Sequence, residues 1–233
     1  MAGRDWPRAG ASAYFVTGSG TDVGKTFITA RLIGELRARG RQAVGLKPVL
    51  SGYDPAQAAA SDAGILAAAM GRDATAANID ALCPLRFAAP LSPDMAARRE
   101  GRSIDFEALI AFCQGALGRG DHDLLFIEGV GGVMVPLDAE HLVLDWMRRL
   151  QLPVLLVTGS YLGSISHTLT AAQAVTGAGL GLSAIVISES AESSVDLAET
   201  RDTLRRFVGG TPVVTVPRDA GDGMELAVAL AMI

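Results

Sequence analysis

The chain has 233 residues, 49% of which are hydrophobic, and carries a formal net charge of −5 at pH 7. This length and apolar content suit one domain spanning residues 1–233, with residues 1–12 as a flexible N-terminal extension. The acidic balance argues against nucleic acid and membrane surfaces as partners, because both usually bind a basic face.

Two further features of the composition bear on the cellular setting. The longest apolar runs have only the length of a strand, and the N-terminus lacks a signal-peptide core. We therefore expect a cytoplasmic protein without a membrane span. Cys83 and Cys113 lack the spacing of metal ligands, which favours two reduced, buried thiols.

Six short apolar runs are typical of buried strands. They are apolar without clean alternation, as expected for strands that are covered on both faces. The runs comprise residues 13–18, 43–47, 123–129, 153–159, 182–188 and 212–217.

Apolar residues at helical spacing lie between these runs. We predict helices around residues 27–36 and 165–175, each followed by a glycine, and a helix at 105–117 with Asp105 as its N-cap. Strands and helices that alternate in this way form a parallel sheet with helices on both faces. Because ligands in such folds bind at the carboxyl ends of the strands, the residues that follow each strand are the candidates for function.

The first strand leads into the stretch V-T-G-S-G-T-D-V-G-K-T, residues 16–26. It ends in G-K-T and opens a predicted helix, which is the context of a phosphate-binding loop. Backbone N–H groups of such a loop bind phosphate oxygens, Lys25 can reach the β- and γ-phosphates, and the Thr26 hydroxyl can ligate Mg²⁺.

The spacing within this loop departs from the common pattern. Five residues separate Gly18 from Gly24, one more than usual, and Ser19 stands where the first glycine is expected. The alternative interpretation is a Gly-rich turn that contains an incidental lysine. The strand before it and the helix after it favour phosphate binding.

Charged residues follow the second and third strands. Lys47 is either a surface lysine with a buried stem or a cation directed at the phosphates, and its surroundings in the sequence leave both open. Asp62 could cap the next helix, which the local pattern favours. Glu128 ends the apolar strand D-L-L-F-I-E, where a carboxylate is costly to bury unless a cation such as Mg²⁺ accompanies it.

The fourth strand is followed by a predicted helix start. Ser164 has the pattern of an N-cap, and the free N–H groups beside it would form another anion site. His167 is more typical of a packed or surface histidine than of a catalytic one.

In this order the segments resemble the dethiobiotin synthetase family, the ATP-dependent cyclo-ligases of biotin synthesis. The resemblance extends from about residue 13 to residue 217, and the family has the same five-residue spacing in its loop. It rests on T-G-x-x-T-[DE]-V-G-K-T at 17–26, K-P-V-x-S-G at 47–52, S-D at 61–62, P-x-S-P at 90–93, E-G-x-G-G at 128–132, D-W from Asp145 and L-P-V at 152–154.

The resemblance implies a fold and a reaction. The fold is α/β, of the P-loop NTPase type, with a mostly parallel central sheet of about seven strands and helices on both faces. The substrates are ATP, CO₂ and 7,8-diaminononanoate, with Mg²⁺ as cofactor. A carbamate of one amine attacks the γ-phosphate, and the second amine then closes the ring to dethiobiotin. The family forms homodimers with the active sites near the interface.

The resemblance also implies roles for individual residues. The catalytic residues are Lys25, Lys47 and Thr21, and the metal ligands are Thr26, Asp62 and Glu128. The diamine contacts Ser51 and the helix start at Gly163, Ser164, Ile165 and Ser166. The residues that bind ATP are Asp22, Val23, Gly24, Lys25, Thr26, Phe27, Asp62, Glu128, Gly129, Val130, Gly131, Ser188 and Pro217.

Two positions depart from the family pattern. Ser166 stands where the family usually has asparagine near the substrate tail. Ser188 stands where the family often has an asparagine that reads adenine. Because a hydroxyl lacks the paired donor and acceptor of a carboxamide, this chain is expected to accept nucleotides other than ATP.

Three other classes of protein share parts of this pattern. A cobyrinate-type synthetase carries an added amidotransferase domain, which we do not expect here. A partition-type ATPase has an extra lysine early in its loop, where this chain has residues 18–20 as G-S-G. A non-catalytic nucleotide-binding regulator should have lost a lysine or an acidic residue that this chain retains.

Overall fold

The computed structural model describes residues 13–191, 193, 195–219 and 226–232. The predicted N-terminal extension at residues 1–12 lies outside the described residues. Both that extension and the single-domain assignment therefore stay predictions.

Strands and helices alternate along most of the chain, as predicted. The strands are β1 Ala13–Gly18, β2 Ala43–Leu46, β3 Val49–Ser51, β4 Leu85–Phe87, β5 Leu124–Glu128, β6 Val154–Gly159, β7 Leu182–Ser188 and β8 Val213–Val216. The helices are α1 Lys25–Ala38, α2 Asp62–Ala69, α3 Ala76–Leu82, α4 Pro93–Arg99, α5 Phe106–Leu117, α6 Val143–Leu150, α7 Ser164–Gly177, α8 Leu197–Arg205 and α9 Leu226–Ala229, with a 3₁₀ helix at Pro55–Ala60.

The central sheet has six strands in the order β2-β5-β1-β6-β7-β8 among the described residues. Every neighbouring pair of strands in it is parallel, which confirms the predicted sheet type. The predicted number of strands, about seven, was approximate. β1 lies between β5 and β6, so the phosphate loop after β1 emerges between the ends of these two strands. The carboxyl edge therefore gathers the four segments that the sequence marks as candidates.

A second, two-stranded parallel sheet of β3 and β4 was not predicted. Each strand has three residues, which is too short for an apolar pattern to show in the sequence. The Gly52 amide donates to the Ala89 carbonyl at 3.1 Å, just beyond this sheet. The pairing thereby brings the P-x-S-P segment at 90–93 beside the exit from β2.

The core packs around the central strands. Phe15 of β1 meets Trp146 of α6 edge-on, with ring centroids 4.9 Å apart, and both side chains are fully buried. Tyr14 points the other way and stacks on Phe126 of β5 at 6.0 Å. Aromatic contacts on alternate residues of β1 explain why this strand reads as continuously apolar.

The starts of α5 and α2 test two of the capping predictions. The Asp105 carboxylate accepts from the Ala108 amide at 2.9 Å, which confirms it as the N-cap of α5. The N-cap of α2 is Ser61, and Asp62 is the first helical residue, so the capping prediction for Asp62 was wrong. That leaves the Asp62 carboxylate available for contacts outside its own helix.

The N-cap prediction for Ser164 was also wrong. Gly163 occupies that position with φ of 98°, a left-handed conformation that favours glycine, and Ser164 begins α7. Among the described residues no side chain caps this helix, so the backbone N–H groups of its first turn receive no hydrogen bond of that kind.

None of the helices in the described ranges is long and apolar enough to cross a bilayer. Cys83 and Cys113 are free and buried, as predicted. Burial raises the pKa of each thiol to about 12.

Because only the thiolate is nucleophilic, both thiols should resist alkylation in the native protein at pH 8. Iodoacetamide followed by mass spectrometry should find neither cysteine modified while the protein is folded, and both modified in guanidinium chloride. Rapid native labelling of either cysteine would contradict the burial described above.

Candidate active site

The phosphate loop joins β1 to α1 through left-handed backbone. Asp22 has φ of 56° and Gly24 has φ of 91°. A Cβ atom on Gly24 would lie 2.5 Å from the Ser188 hydroxyl oxygen, so the loop packs against the end of β7 at a point that admits only glycine. Lys25 begins α1, and its ammonium donates to the Gly20 carbonyl at 3.2 Å. The loop is therefore curled around the lysine that the sequence assigns to phosphate.

Four candidate residues from different elements converge beside this loop. The Lys47 ammonium lies 2.6 Å from Glu128 Oε1 and 2.8 Å from Asp62 Oδ2. It also donates to the Gly129 carbonyl at 3.0 Å, so all three of its donors are engaged. The Thr26 hydroxyl donates to Glu128 Oε1 at 2.7 Å. This group of Thr26, Lys47, Asp62 and Glu128 is called the charge cluster below.

Lys47 and Glu128 of the charge cluster are buried, and this determines their electrostatics. Lys47 is 2% exposed and Glu128 is not exposed at all, which excludes the interpretation of Lys47 as a surface lysine. Burial disfavours the charged lysine, but the charges of Glu128 and Asp62 outweigh it and raise the pKa of Lys47. Burial likewise opposes the charged form of Asp62, and Lys47 overcomes it and lowers the pKa of that carboxyl group.

Lys25 has a different electrostatic environment. Burial, followed by repulsion from the nearby Lys47, lowers the pKa of Lys25 to about 8. Among the described residues its ammonium has one hydrogen-bond acceptor, a backbone carbonyl, whereas Lys47 contacts two carboxylates. Of the two lysines, Lys25 is therefore the one that gains more from an arriving anion.

Two buried oxygens at the site have no hydrogen-bond partner within the part of the chain that the structure describes. They are Glu128 Oε2 and the Ser51 hydroxyl oxygen. Buried polar atoms without a partner are costly, so each of them favours a ligand that completes its hydrogen bonds. The sequence predicts a function for both residues, Glu128 as a metal ligand and Ser51 as a contact of the diamine.

A cavity of about 760 Å³ opens in front of the charge cluster. It brings together residues from the phosphate loop, the exit of β2, the start of α2 and the loop after β5. Its lining includes Thr21, Asp22, Gly24, Lys25, Thr26, Phe27, Lys47, Ser51, Asp62, Val130 and Gly131. Pro90, Leu91, Ser92 and Pro93 also line it. The sequence pattern assigns no role to these four residues, although the P-x-S-P motif is part of the family resemblance.

A second cavity, of about 450 Å³, adjoins the first on the other side of the loop. Asp22, Gly24 and Phe27 line both cavities, and Ser188 lines the second. Val23, Glu189, Ser190, Ala191 and Arg218 complete the second lining. The sequence interpretation missed Glu189, Ser190 and Arg218, whose only signal was their position just beyond the predicted strands.

Pro217 precedes Arg218 at the end of β8 and is not among the lining residues of either cavity. The Arg218 amide donates to the Glu189 carboxylate at 2.8 Å, which ties the segment after β8 to the segment after β7. Gly129 likewise lines neither cavity; its carbonyl accepts from Lys47. These two residues therefore shape the site through their neighbours.

The start of α7 lies apart from both cavities. Residues 163–166 are not in either lining, and Ser164 is buried. Leu162, just before the helix, is 87% exposed. His167 is exposed and its Nδ1 atom lies 2.9 Å from the Tyr161 hydroxyl, in keeping with the predicted surface histidine.

Removal of Lys47 should show how much the buried charges depend on one another. Lys47→Met leaves Glu128 buried without its cation, and we expect a loss of about 3–5 kcal/mol in the free energy of unfolding. Lys47→Met/Glu128→Gln should recover much of this loss. Denaturant unfolding followed by circular dichroism measures both.

Arg98→Met provides the matched control. Arg98 pairs with Asp94 at 3.0 Å but has a side chain that is 71% exposed, so its loss should cost less than about 1 kcal/mol. Equal losses for Lys47→Met and Arg98→Met would contradict the electrostatic role of the charge cluster.

Comparison with known proteins connects this geometry to a family. A family model described as an AAA domain matches residues 12–221. In fold, the chain is similar to the cell division ATPase MinD of Pyrococcus furiosus, with a TM-score of 0.53 and 18% identity, over 89% of this chain and 84% of that one. That similarity shows a P-loop NTPase fold.

Relatives in sequence are more specific. The ATP-dependent dethiobiotin synthetase BioD of Phenylobacterium zucineum (strain HLK1) is 49% identical over 209 residues, 89% of each chain. The enzyme of the same name from Acidiphilium cryptum (strain JF-5) is 48% identical, over 86% of this chain and 90% of that one. With a phosphate loop, a charge cluster beside it and relatives this similar over most of its length, the chain belongs to the dethiobiotin synthetase family.

Proposed function

We propose that the protein catalyses the ATP-dependent closure of 7,8-diaminononanoate and CO₂ to dethiobiotin, with release of ADP and phosphate. The observation that carries this proposal is the placement of a second lysine, Lys47, beside the phosphate loop in the wall of the larger cavity. Transfer of a phosphoryl group to an anionic acceptor brings a second anion beside the phosphates, and a second cation at that point offsets its charge.

The reaction joins two anions, and its demands fall on positioning and charge. One amine of the substrate takes up CO₂ to form a carbamate and loses a proton. A carbamate oxygen attacks the γ-phosphorus as ADP leaves, which gives a mixed carbamic–phosphoric anhydride. The second amine then attacks the carbonyl carbon, and phosphate leaves as the ring closes. No nucleophile from the protein is required, so in-line placement supplies the catalysis.

The two lysines have separate roles in this scheme. Lys25 binds the transferring phosphoryl group, because it lies within the phosphate loop and has the weaker set of anionic partners. Lys47 binds the carbamate. To do so its ammonium gives up one acceptor, and Asp62 is the one that yields, because its side chain is 36% exposed while that of Glu128 is fully buried. Thr21 lines the same cavity, which supports its proposed role as a donor to the carbamate.

We propose Mg²⁺ as the cofactor, with Thr26, Asp62 and Glu128 as its ligands. The residues fit this ion: Mg²⁺ binds oxygen through one or two carboxylates and completes its shell with phosphates and water. Glu128 Oε2 is buried without a partner among the described residues, and the Thr26 hydroxyl lies 2.7 Å from Glu128 Oε1. The ion supplies positive charge that offsets the charge of the phosphates.

The remaining ligand contacts follow from the position of the loop between the two cavities. The triphosphate lies along residues 22–27, the base enters the smaller cavity beside Ser188, and the diamine occupies the larger cavity near Ser51. Pro217 and residues 129–131 also belong to the proposed nucleotide site. We assign the carboxylate tail of the diamine to the backbone N–H groups at 163–166.

The tail site supports a homodimer as the assembly. Residues 163–166 lie outside the cavity linings of one chain, and the apolar Leu162 beside them is 87% exposed. A second copy that covers Leu162 would bury this side chain and bring the tail site of one chain to the reaction cavity of the other.

Phosphate release tests the proposed reaction directly. With MgATP and bicarbonate, release should depend strictly on added 7,8-diaminononanoate, and mass spectrometry should detect dethiobiotin in equal amount. Lys47→Met should bind MgADP about as tightly as the unaltered protein, which also shows that it is folded, and should lose at least about a hundredfold in kcat. Phosphate release that is indifferent to the diamine would indicate a different ATPase.

The nucleotide series tests the consequence of Ser188. A single hydroxyl at the base cavity lacks the paired donor and acceptor of an amide, so CTP and GTP should support turnover within about tenfold of ATP. Ser188→Asn should increase the preference for ATP through kcat/KM. A preference of the unaltered protein for ATP above about a thousandfold would exclude relaxed base choice.

A further inference from the structure

A chain of hydroxyls, half-buried at Ser19 and fully buried beyond it, connects the phosphate loop to the first turn of α7. The Ser19 hydroxyl donates to Thr158 Oγ1 at 2.9 Å. Thr158 Oγ1 and Thr168 Oγ1 are 2.8 Å apart, and Thr168 Oγ1 lies 2.6 Å from the Ser164 carbonyl oxygen. Thr158 and Thr168 are completely buried. Three side chains from the loop, β6 and α7 thus form one continuous path.

The three hydroxyls form one connected set of bonds. Ser19 donates to Thr158, and the Thr168 hydroxyl is within donating distance of both Thr158 Oγ1, at 2.8 Å, and the Ser164 carbonyl oxygen, at 2.6 Å. Thr158 Oγ1 therefore accepts from the loop and from α7, as the two lone pairs of a hydroxyl oxygen allow. Hydrogen bonds that share a hydroxyl polarise one another, which strengthens each of them.

The path begins at the residue that makes the loop unusual. Ser19 stands where the common phosphate-loop pattern has its first glycine. It is held to β6 twice, through its side chain and through its amide, which donates to the Val157 carbonyl at 2.9 Å. A glycine at this position would keep the backbone bond and lose the connection to Thr158.

We propose that Thr158 is a positioning residue that couples the phosphate loop to the start of α7, so that nucleotide bound in the loop stiffens the first turn of that helix. The loop and the helix have no comparable direct bond between them among the described contacts. Thr158 lies on β6 within the central sheet, is fully buried and bonds to both neighbours, so a single side chain links the loop to the helix.

A second tie runs from the smaller cavity to the same segment. The Ser160 amide donates to the Ser190 hydroxyl at 3.0 Å, and the Ser190 amide donates to the Ser160 hydroxyl at 2.9 Å. Ser190 lines the cavity assigned to the base. The turn at 164–168 is also held to residue 161, where the Ser164 amide donates to the Tyr161 carbonyl at 2.9 Å. Among the described contacts, however, it is the Thr158 hydroxyl that connects this turn to Ser19 of the phosphate loop.

The consequence for the reaction rests on the proposed function. If the tail of the diamine binds at the start of α7, nucleotide in the loop prepares that site before the diamine arrives. The coupling itself does not depend on the identity of the substrate, so it can be measured with MgADP alone.

Hydrogen–deuterium exchange with and without MgADP tests the coupling. In the unaltered protein, MgADP should slow exchange both in the loop at 19–26 and, about fivefold, in the first turn of α7, an effect of the size that one hydrogen bond supports. Thr158→Val keeps the side-chain shape and should retain the slowing in the loop while losing it in α7. Ser19→Ala, at the half-buried end of the path, should do the same.

Thr176→Val is the matched control, because the Thr176 hydroxyl bonds only to carbonyls of its own helix in the described contacts, at 2.9 Å to Ala172. It should leave both effects of MgADP intact. Persistent slowing in α7 of Thr158→Val and Ser19→Ala, or no slowing there in the unaltered protein, would overturn the proposal. Since no diamine and no turnover are involved, failure of the proposed reaction would not produce either result.

Discussion

The buried pair of Lys47 and Glu128 is the interaction on which the rest of the site depends. A carboxylate at the end of an apolar strand is tolerated only with a cation beside it, and a lysine in the same position needs an anion. Their ammonium and carboxylate groups lie 2.6 Å apart, with Lys47 directly after β2 and Glu128 at the end of the neighbouring β5, so the pair also joins the exits of these two strands. Thr26 and Asp62 then attach to this pair from α1 and α2.

The order of strands explains why a single loop can serve two cavities. β5 lies between β2 and β1, which places Glu128 between Lys47 and the phosphate loop. On the other side of β1, β6 and β7 carry Thr158 and Ser188 to the same edge. Phe27, which is 44% exposed at the start of α1, lines both cavities. We propose that a nucleotide bound along the loop has its phosphates toward the two lysines and its base toward Ser188.

The sequence was sufficient to predict the parallel sheet and the residues that meet at its edge. Strands covered on both faces are continuously apolar, and a charged residue at the end of such a strand is conspicuous, as for Lys47 and Glu128. What could not be predicted depends on partners distant in the chain. The strands β3 and β4 are three residues each and are formed only through one another.

The N-caps of α2 and α7 also could not be predicted from a local sequence pattern. Asp62 has the pattern of a capping residue, but Ser61 takes that position and Lys47 holds the Asp62 carboxylate, which a local pattern cannot reveal. At α7, a left-handed Gly163 replaces the predicted serine cap. The hydroxyl path from Ser19 was equally hidden, because its members are 139 and 10 residues apart in the chain.

Transfer of the phosphoryl group to a carbamate oxygen is the central chemical claim, and oxygen-18 measures it most directly. The protein would be supplied with MgATP, 7,8-diaminononanoate and freshly dissolved ¹⁸O-labelled CO₂ in unlabelled water, and the released phosphate examined by mass spectrometry. Attack by the carbamate predicts that each phosphate contains one oxygen from CO₂. Phosphate without the label, formed at the same rate as dethiobiotin, would contradict the roles assigned to Lys25 and Lys47.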